Sequence, residues 1–356
     1  MNAGRKTRVL IIDDSALVRK ILSEAVSAAP DLEVVGSAPD PLIAIEKLKL
    51  LQPDVLTLDI EMPRMDGITF LRQIMATTPI PAVVVSSLAQ AGCRAALEAL
   101  EAGAVEVIAK PGGPFSVAEL RTSLPQRIRA AAQARIRRVT GTAFQEPGPR
   151  LRTVANGTIG LIAIGASTGG TEAIRRVLEH LPANAPPIVI VQHIPPVFSK
   201  AFAERLDQLC AVKVKEAVDG DSVRAGTALV APGDFHMTVT DSAKGMIVRL
   251  TKGEKVCYQR PSVDVMFESV AAACGRNALG IILTGMGNDG AAGLLKLRRT
   301  GARTIAQDEA SCIVYGMPRQ AVLAGAVERI LPLSEIGRAV CNLTAGPEIV
   351  SASLSR

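Results

Sequence analysis

The chain reads as an α/β protein built on two doubly wound, mainly parallel sheets, and three observations predict this. Aromatic residues are only 3% of the 356 positions and Trp is absent, while 48% are hydrophobic. The cores must therefore rest on Ala, Val, Ile and Leu, the composition of parallel strands covered on both faces. Apolar runs of strand length alternate with longer segments of helical period along most of the chain. One polar stretch breaks that alternation, and the length suffices for a core on either side of it.

The first alternation has five βα units, with strands expected at RVLIIDD, LEVVGSA, DVLTLDI, PAVVVSS and VEVIAKP. A last helix from about Ser116 dissolves into RRVTGTAFQEPGPRLRT, which is rich in Arg, Gly, Pro and Thr. Domains are therefore expected over 1–130 and 156–350, joined by an Arg-rich linker over 131–155. The second alternation places strands at LIAIGAS, PPIVIVQHI, GTALVAPG, ALGIILTG, RTIAQD and AVERILP. The segments MTVT and MIVRL around DSAKG break the pattern and predict a short antiparallel hairpin.

The net charge of +6 is a local property. Arg121 to Arg152 holds eight Arg and one Glu, which leaves the rest near neutral. A basic strip without interleaved aromatics reads as a solvated linker, so no nucleic-acid partner is expected. The six cysteines are scattered, with no C-x-x-C pair and no His at ligand spacing, consistent with a reducing cytoplasm rather than disulfides or zinc. No apolar run approaches the roughly 20 residues of a membrane span, so no membrane insertion is expected.

In the first domain, Asp13 and Asp14 close the first strand and Asp59 closes the third. In a 2-1-3-4-5 sheet those strands are neighbours, and their carboxyl edge is where ligands of open α/β folds bind. Three carboxylates so close repel one another unless a divalent cation joins them, and a hard oxygen site suits Mg²⁺. Ser86 and Lys110, ending the fourth and fifth strands, add a hydroxyl and a cation to the rim. Each aspartate alone reads as a helix cap, but five such residues gathered at the ends of the first, third, fourth and fifth strands do not.

These residues, with DD at 13–14, LDIEMPRMDG around Asp59, VSS around Ser86 and KP at Lys110, give a segment over about 6–130 that resembles the receiver domain of two-component response regulators. The resemblance implies a flavodoxin-like fold with Asp59 as phosphoacceptor and Ser86 and Lys110 as switch residues. It also implies Mg²⁺ held by Asp14, Asp59 and the backbone carbonyl of Glu61, with Asp13 completing the carboxylate set. Val107 stands where receivers often carry an aromatic, three residues before the lysine.

In the second domain, IGASTGG ends a strand and precedes a helix from about Thr171. It admits three readings: a phosphate cradle, a tight turn, or an elbow presenting Ser167 as a nucleophile. The cradle lacks its middle glycine, and the next strand ends at Gln192 and His193 rather than at an acid for a ribose. Gly165 to Gly169 fits G-x-S-x-G, whose small neighbours allow a sharp strand-to-helix turn.

A serine nucleophile needs a base, and the chain has three histidines. His180 follows a helix and reads as a capping residue. His236 begins the hairpin and reads as a wall or packing residue. His193 ends the strand after the Ser167 helix, and a right-handed crossover brings the two strand ends to one edge. Its second nitrogen needs an acceptor, for which Asp289 in ILTGMGNDG is best placed; Asp219, Asp221, Asp241 and Asp264 lack that strand-end position. Taken alone, GMGNDG reads as a glycine turn with Asp289 as a helix cap; beside Ser167 and His193 it reads as the partner of the imidazole.

The region from about Asn156 to Leu343 resembles the catalytic domain of chemotaxis protein-glutamate methylesterases, through IGASTGG, VQHIPPVFSKAFAERL, APGDFHM, RPSVDVMFES, ILTGMGNDGAAGL and YGMPRQAV. Receiver, linker and esterase in that order are the family's architecture, here with Asp234 where a second glycine is expected. The resemblance implies a Rossmann-like hydrolytic domain and, as substrates, glutamate methyl esters and selected glutamines on chemoreceptors. It further implies the Met286 backbone N–H as an oxyanion donor, no cofactor in the esterase site and a histidine kinase as phosphoryl source. An unphosphorylated receiver that restrains the esterase is the expected control. The rival reading is a non-enzymatic regulator that binds nucleic acid through the basic strip.

Overall fold

The computed structural model describes residues 5–87, 89–110, 114–136, 159–243 and 245–345. Most of the Arg-rich linker, Pro111 and residues 346–350 lie outside the described residues. The chain forms two compact units.

The first unit holds β1 (Thr7–Ile12), α1 (Ala16–Ser27), β2 (Leu32–Ala38), α2 (Pro41–Leu51), β3 (Val55–Asp59), α3 (Gly67–Thr77), β4 (Ala82–Ser86), α4 (Gln90–Glu101), β5 (Glu106–Ala109) and α5 (Pro114–Ala132). The sheet order is β2-β1-β3-β4-β5, all parallel, the expected one. Ser15, Asp40 and Asp66 cap α1, α2 and α3 by accepting from backbone N–H groups of the first turns. Register pairs Asp59 with Val85 and Ser86 with Ala109, which aligns the residues of the acidic rim.

The second unit contains β6 (Leu161–Ala166), α6 (Gly170–Leu178), β7 (Ile188–Gln192), α7 (Phe198–Leu209), β8 (Lys213–Glu216), β9 (Thr227–Val230), β10 (His236–Ser242), β11 (Gly245–Thr251), α8 (Val263–Cys274), β12 (Ala278–Ile282), α9 (Ala291–Arg299), β13 (Arg303–Gln307), α10 (Met317–Leu323), β14 (Arg329–Leu331) and α11 (Leu333–Thr344). Seven strands form one parallel sheet in the order β14-β13-β12-β6-β7-β9-β8, and β10 and β11 pair antiparallel apart from it.

β8 is the strand the sequence does not announce. It lies at the sheet edge, is four residues long and alternates exposed lysines with inward valine. Lysines on a short edge strand protect its free hydrogen-bonding side and mask the apolar pattern. Beside the sheet, Val263, Met266, Phe267 and Val270 of α8 meet Leu294 and Leu297 of α9 in the buried core, and this packing fixes the N-terminus of α8.

Candidate active site

The acidic rim of the first unit is largely buried: Asp13 and Asp59 are inaccessible and Asp14 is exposed. One ligand atom from each lies within 4.8 Å of the others. The Lys110 ammonium donates to Asp59 Oδ2 at 2.7 Å and stands 3.6 Å from Asp13 Oδ2. Burial, with the neighbouring Asp59 charge, raises Asp13 to about 6. Burial also raises Asp59, against the opposing hydrogen bond from Lys110. Ser86 Oγ donates to the carbonyl of Gly92 in α4 at 3.1 Å. The Glu61 N–H reaches Asp59 Oδ1 at 3.3 Å.

Asp13 Oδ2 is buried without a hydrogen-bond partner. An orphaned carboxylate oxygen beside two further carboxylates is a hard oxygen set that fits Mg²⁺. Val107, buried on β5, leaves no aromatic ring at its position.

In the second unit, strand register builds the site. Ala166 of β6 pairs with Gln192 of β7, and Gly165 pairs with Ile282 of β12. Ser167, His193 and the loop after β12 therefore leave three adjacent strands at one carboxyl edge. Ser167, His193 and Asp289 are 4%, 3% and 2% exposed.

The turn at Ser167 is fixed from several sides. Its N–H donates to Thr284 O at 3.0 Å, its carbonyl accepts from Gln192 Nε2 at 2.9 Å, and the Gly170 N–H closes back on that carbonyl. Gly169 heads α6 at φ +76°, a left-handed conformation that a side chain resists. A Cβ on Gly285 would stand 2.7 Å from Ser167 Cβ, so that loop can pass the serine only as glycine.

His193 Nε2 bonds Asp289 Oδ2 at 2.8 Å, and Asp289 comes from the loop after β12, as expected from its strand-end position. Asp289 also accepts from Ser262 Oγ at 2.8 Å, Val263 N at 2.8 Å and Asp264 N at 3.0 Å. Burial alone would raise its carboxyl, but the hydrogen bond and charge of His193, with the backbone donors, hold it below the ordinary range. With Nε2–H given to Asp289, the lone pair of His193 lies on Nδ1, which is buried and without a partner. The Ser167 hydroxyl is thus not bonded to the ring here; such bonds are commonly long in a free enzyme and tighten with substrate.

Met286 is half-buried, and its N–H makes none of the described backbone hydrogen bonds, leaving it free to donate. His180 Nδ1 bonds Arg176 O at 2.8 Å at the end of α6, the capping arrangement. His236 is buried, its Nε2 bonded to Glu254 O at 2.8 Å and its Nδ1 to the Ser262 N–H at 3.2 Å. It stands behind the triad residues, not among them. Asp264 is buried nearby, raised first by burial and further by the Asp289 charge. Asp234 adopts φ +66°, the conformation that makes glycine the expected residue, and its carboxylate accepts from Arg260 at 2.9 and 2.5 Å. Sequence reasoning gave no role to Gln192, Ser262 or Thr284, although each sits inside a quoted motif; their contacts cross between loops, and one-dimensional spacing does not report those.

A five-stranded sheet with an acidic rim, followed by a parallel sheet whose edge gathers a serine elbow, a histidine and a carboxylate, defines a response regulator joined to an α/β catalytic unit. Residues 162–340 match the family model "CheB methylesterase" and residues 9–124 match "Response regulator receiver domain". The chain belongs to the CheB methylesterase family. It is 53% identical over 340 residues to protein-glutamate methylesterase/protein-glutamine glutaminase 2 of Syntrophus aciditrophicus, covering 95% of this chain and 99% of that one. It is 51% identical over 339 residues to the protein-glutamate methylesterase/protein-glutamine glutaminase of Chromohalobacter salexigens, covering 95% and 96%. Among solved structures, the CheB methylesterase catalytic domain of Thermotoga maritima superposes with a TM-score of 0.51 at 37% identity, over 52% of this chain and 98% of that one.

Proposed function

We propose that this protein is a phosphorylation-activated protein-glutamate methylesterase that hydrolyses glutamate methyl esters on chemoreceptors and deamidates receptor glutamines, acting in the cytoplasm in chemotactic adaptation. The observation that carries the reading is the polarised imidazole: His193 is anchored to Asp289 through Nε2, and its buried Nδ1 has no partner beside the Ser167 elbow. Family membership supports the substrate class. Among the described residues no helix is long and apolar enough to cross a membrane.

Ser167 Oγ passes its proton to His193 Nδ1 and attacks the ester carbonyl, and Asp289 steadies the imidazolium. The Met286 N–H and a second N–H at the start of α6 take the negative charge on the carbonyl oxygen, each worth about 10²–10³ in rate. His193 returns the proton to the departing methoxide, giving methanol, or to the carboxamide nitrogen of a glutamine side chain, which leaves as ammonia. A water deprotonated at the same nitrogen then releases glutamate from the acyl-serine.

In the first unit, Asp59 accepts a phosphoryl group from a histidine kinase. Asp13, Asp14, Asp59 and the Glu61 carbonyl would hold Mg²⁺, which would neutralise the phosphoryl charge. Lys110, now bound to Asp59, re-pairs with the phosphoryl oxygens, and Ser86 turns its hydroxyl from Gly92 toward them.

Ser167→Ala should abolish methanol release from methylated receptor while leaving folding and Asp59 phosphorylation intact. Methanol release by that variant at the wild-type rate would refute the serine mechanism. Salt-sensitive DNA binding by a wild type that releases no methanol would favour the nucleic-acid reading.

A further inference from the structure

Asp289 is held from behind by groups that the three-residue mechanism does not use. Ser262 is fully buried and belongs to the loop before α8, not to a strand end. Its hydroxyl donates to Asp289 Oδ1 at 2.8 Å and accepts the Val265 N–H at 3.4 Å, so one oxygen caps the helix and binds the carboxylate. Its own N–H donates to His236 Nδ1 at 3.2 Å, and His236 Nε2 closes on Glu254 O at 2.8 Å. Because His236 Nδ1 accepts and its Nε2 donates, that ring is neutral with a fixed tautomer. A continuous hydrogen-bonded line thus runs from Glu254 O through His236, Ser262 and Asp289 to His193.

We propose that Ser262, seated by His236, is a positioning residue of the esterase: its hydroxyl orients Asp289 and sets how strongly that carboxylate pulls on the His193 proton. The inference rests on the Ser167–His193–Asp289 reading and deepens it. Asp289 has four donors, three from the start of α8 and one from His193. In a buried site each donor draws negative charge off the carboxylate. Removing the Ser262 donor leaves more charge for His193, which favours the imidazolium and raises the His193 pKa. The raised pKa leaves less free base at neutral pH, and the loosened carboxylate no longer fixes the ring. The other ionisable groups around Asp289 are Asp264, whose Oδ1 accepts the Gly293 N–H at 2.6 Å, and the Cys257 thiol, 3.9 Å from Asp264 Oδ2. The substitution below touches neither.

Ser262→Gly in the full-length chain is the test, because glycine at a helix N-cap costs only a few tenths of a kcal/mol relative to serine while removing the hydroxyl. The chain has three histidines, so selective ¹³C labelling of the imidazoles lets His193 be titrated by NMR, assigned with His193→Ala. The expected result is an upward shift of the His193 pKa, with kcat for methanol release lower on the order of tenfold, the loss of one hydrogen bond to a charged group, and KM unchanged. His236→Asn should shift His193 in the same direction by less. An unshifted His193 titration in Ser262→Gly overturns the proposal, and so does a variant that only melts earlier; the titration midpoint does not depend on how much protein is folded. Hydrolysis by Ser167→Ala would instead sink the parent reading, so the two failures are distinct.

Discussion

In the proposed mechanism three residues carry the chemistry because each corrects what the others lack. A serine hydroxyl is a weak nucleophile, a lone imidazole has no fixed tautomer, and a buried carboxylate is unstable without donors. Here Asp289 is satisfied by the α8 N-terminus and His193 together, so it stays ionised and holds the His193 proton on Nε2. Asp289→Asn keeps the size but offers the amide where the carboxylate accepted, so the ring can take the wrong tautomer. kcat should fall by about 10³–10⁴, measured as methanol release, with a folded chain by circular dichroism. Ser167, His193 and Asp289 were legible in the sequence because each follows a recognisable apolar strand in a glycine-rich or motif-bearing loop. Ser262 and Gln192 were not, because their significance is a side-chain contact to a residue 27 or 25 positions away.

At the scale of elements, the active edge depends on strand-to-helix turns that tolerate little added volume. Gly169 combines φ +76° with a Cβ position 2.7 Å from Ile313 Cβ. Gly169→Ala should therefore destabilise the second unit by about 1–3 kcal/mol, seen as a lower midpoint in the thermal transition of that unit while the other unit keeps its own. A wild-type midpoint would show that the turn relaxes freely. The parallel strands and the hairpin could be read from the sequence because buried parallel strands are continuous apolar runs. β8 could not, since its pattern is split between inward valine and outward lysine. The register that gathers β12, β6 and β7 at one edge is a property of the assembled sheet, and only its neighbour relations were inferable, through the handedness of crossovers.

At the scale of the whole molecule, the chain joins a receiver domain to an esterase. Burial and the neighbouring Asp59 charge raise Asp13 to about 6 against an ordinary 3.8, so below about pH 6 a proton occupies a carboxylate of the proposed Mg²⁺ site. Binding must then displace it, and affinity weakens as pH falls, by about tenfold per unit. Calorimetric titration with MgCl₂ between pH 5 and 7.5 checks this, and a pH-independent affinity would show Asp13 to be ionised throughout. Chelation of Mg²⁺ should stop phosphorylation of Asp59 without affecting basal hydrolysis. Removal of residues 1–138 should raise the basal esterase rate if the unphosphorylated receiver restrains the second unit; an unchanged rate would assign the receiver a purely activating role. The receiver's five rim residues were readable because they sit at four strand ends, Asp13 and Asp14 together after β1 and the others at the ends of β3, β4 and β5, whereas the inward burial of Asp13 and Asp59, which sets their titration, comes from packing.

The most direct test of the central claim is to quench the full-length protein during turnover of an activated small-acid ester and map the adduct by mass spectrometry. One acyl group on Ser167 is expected, absent in Ser167→Ala and strongly reduced in His193→Ala. Methanol release from receptor with no acyl-enzyme at any time, or an adduct on another side chain, would contradict it.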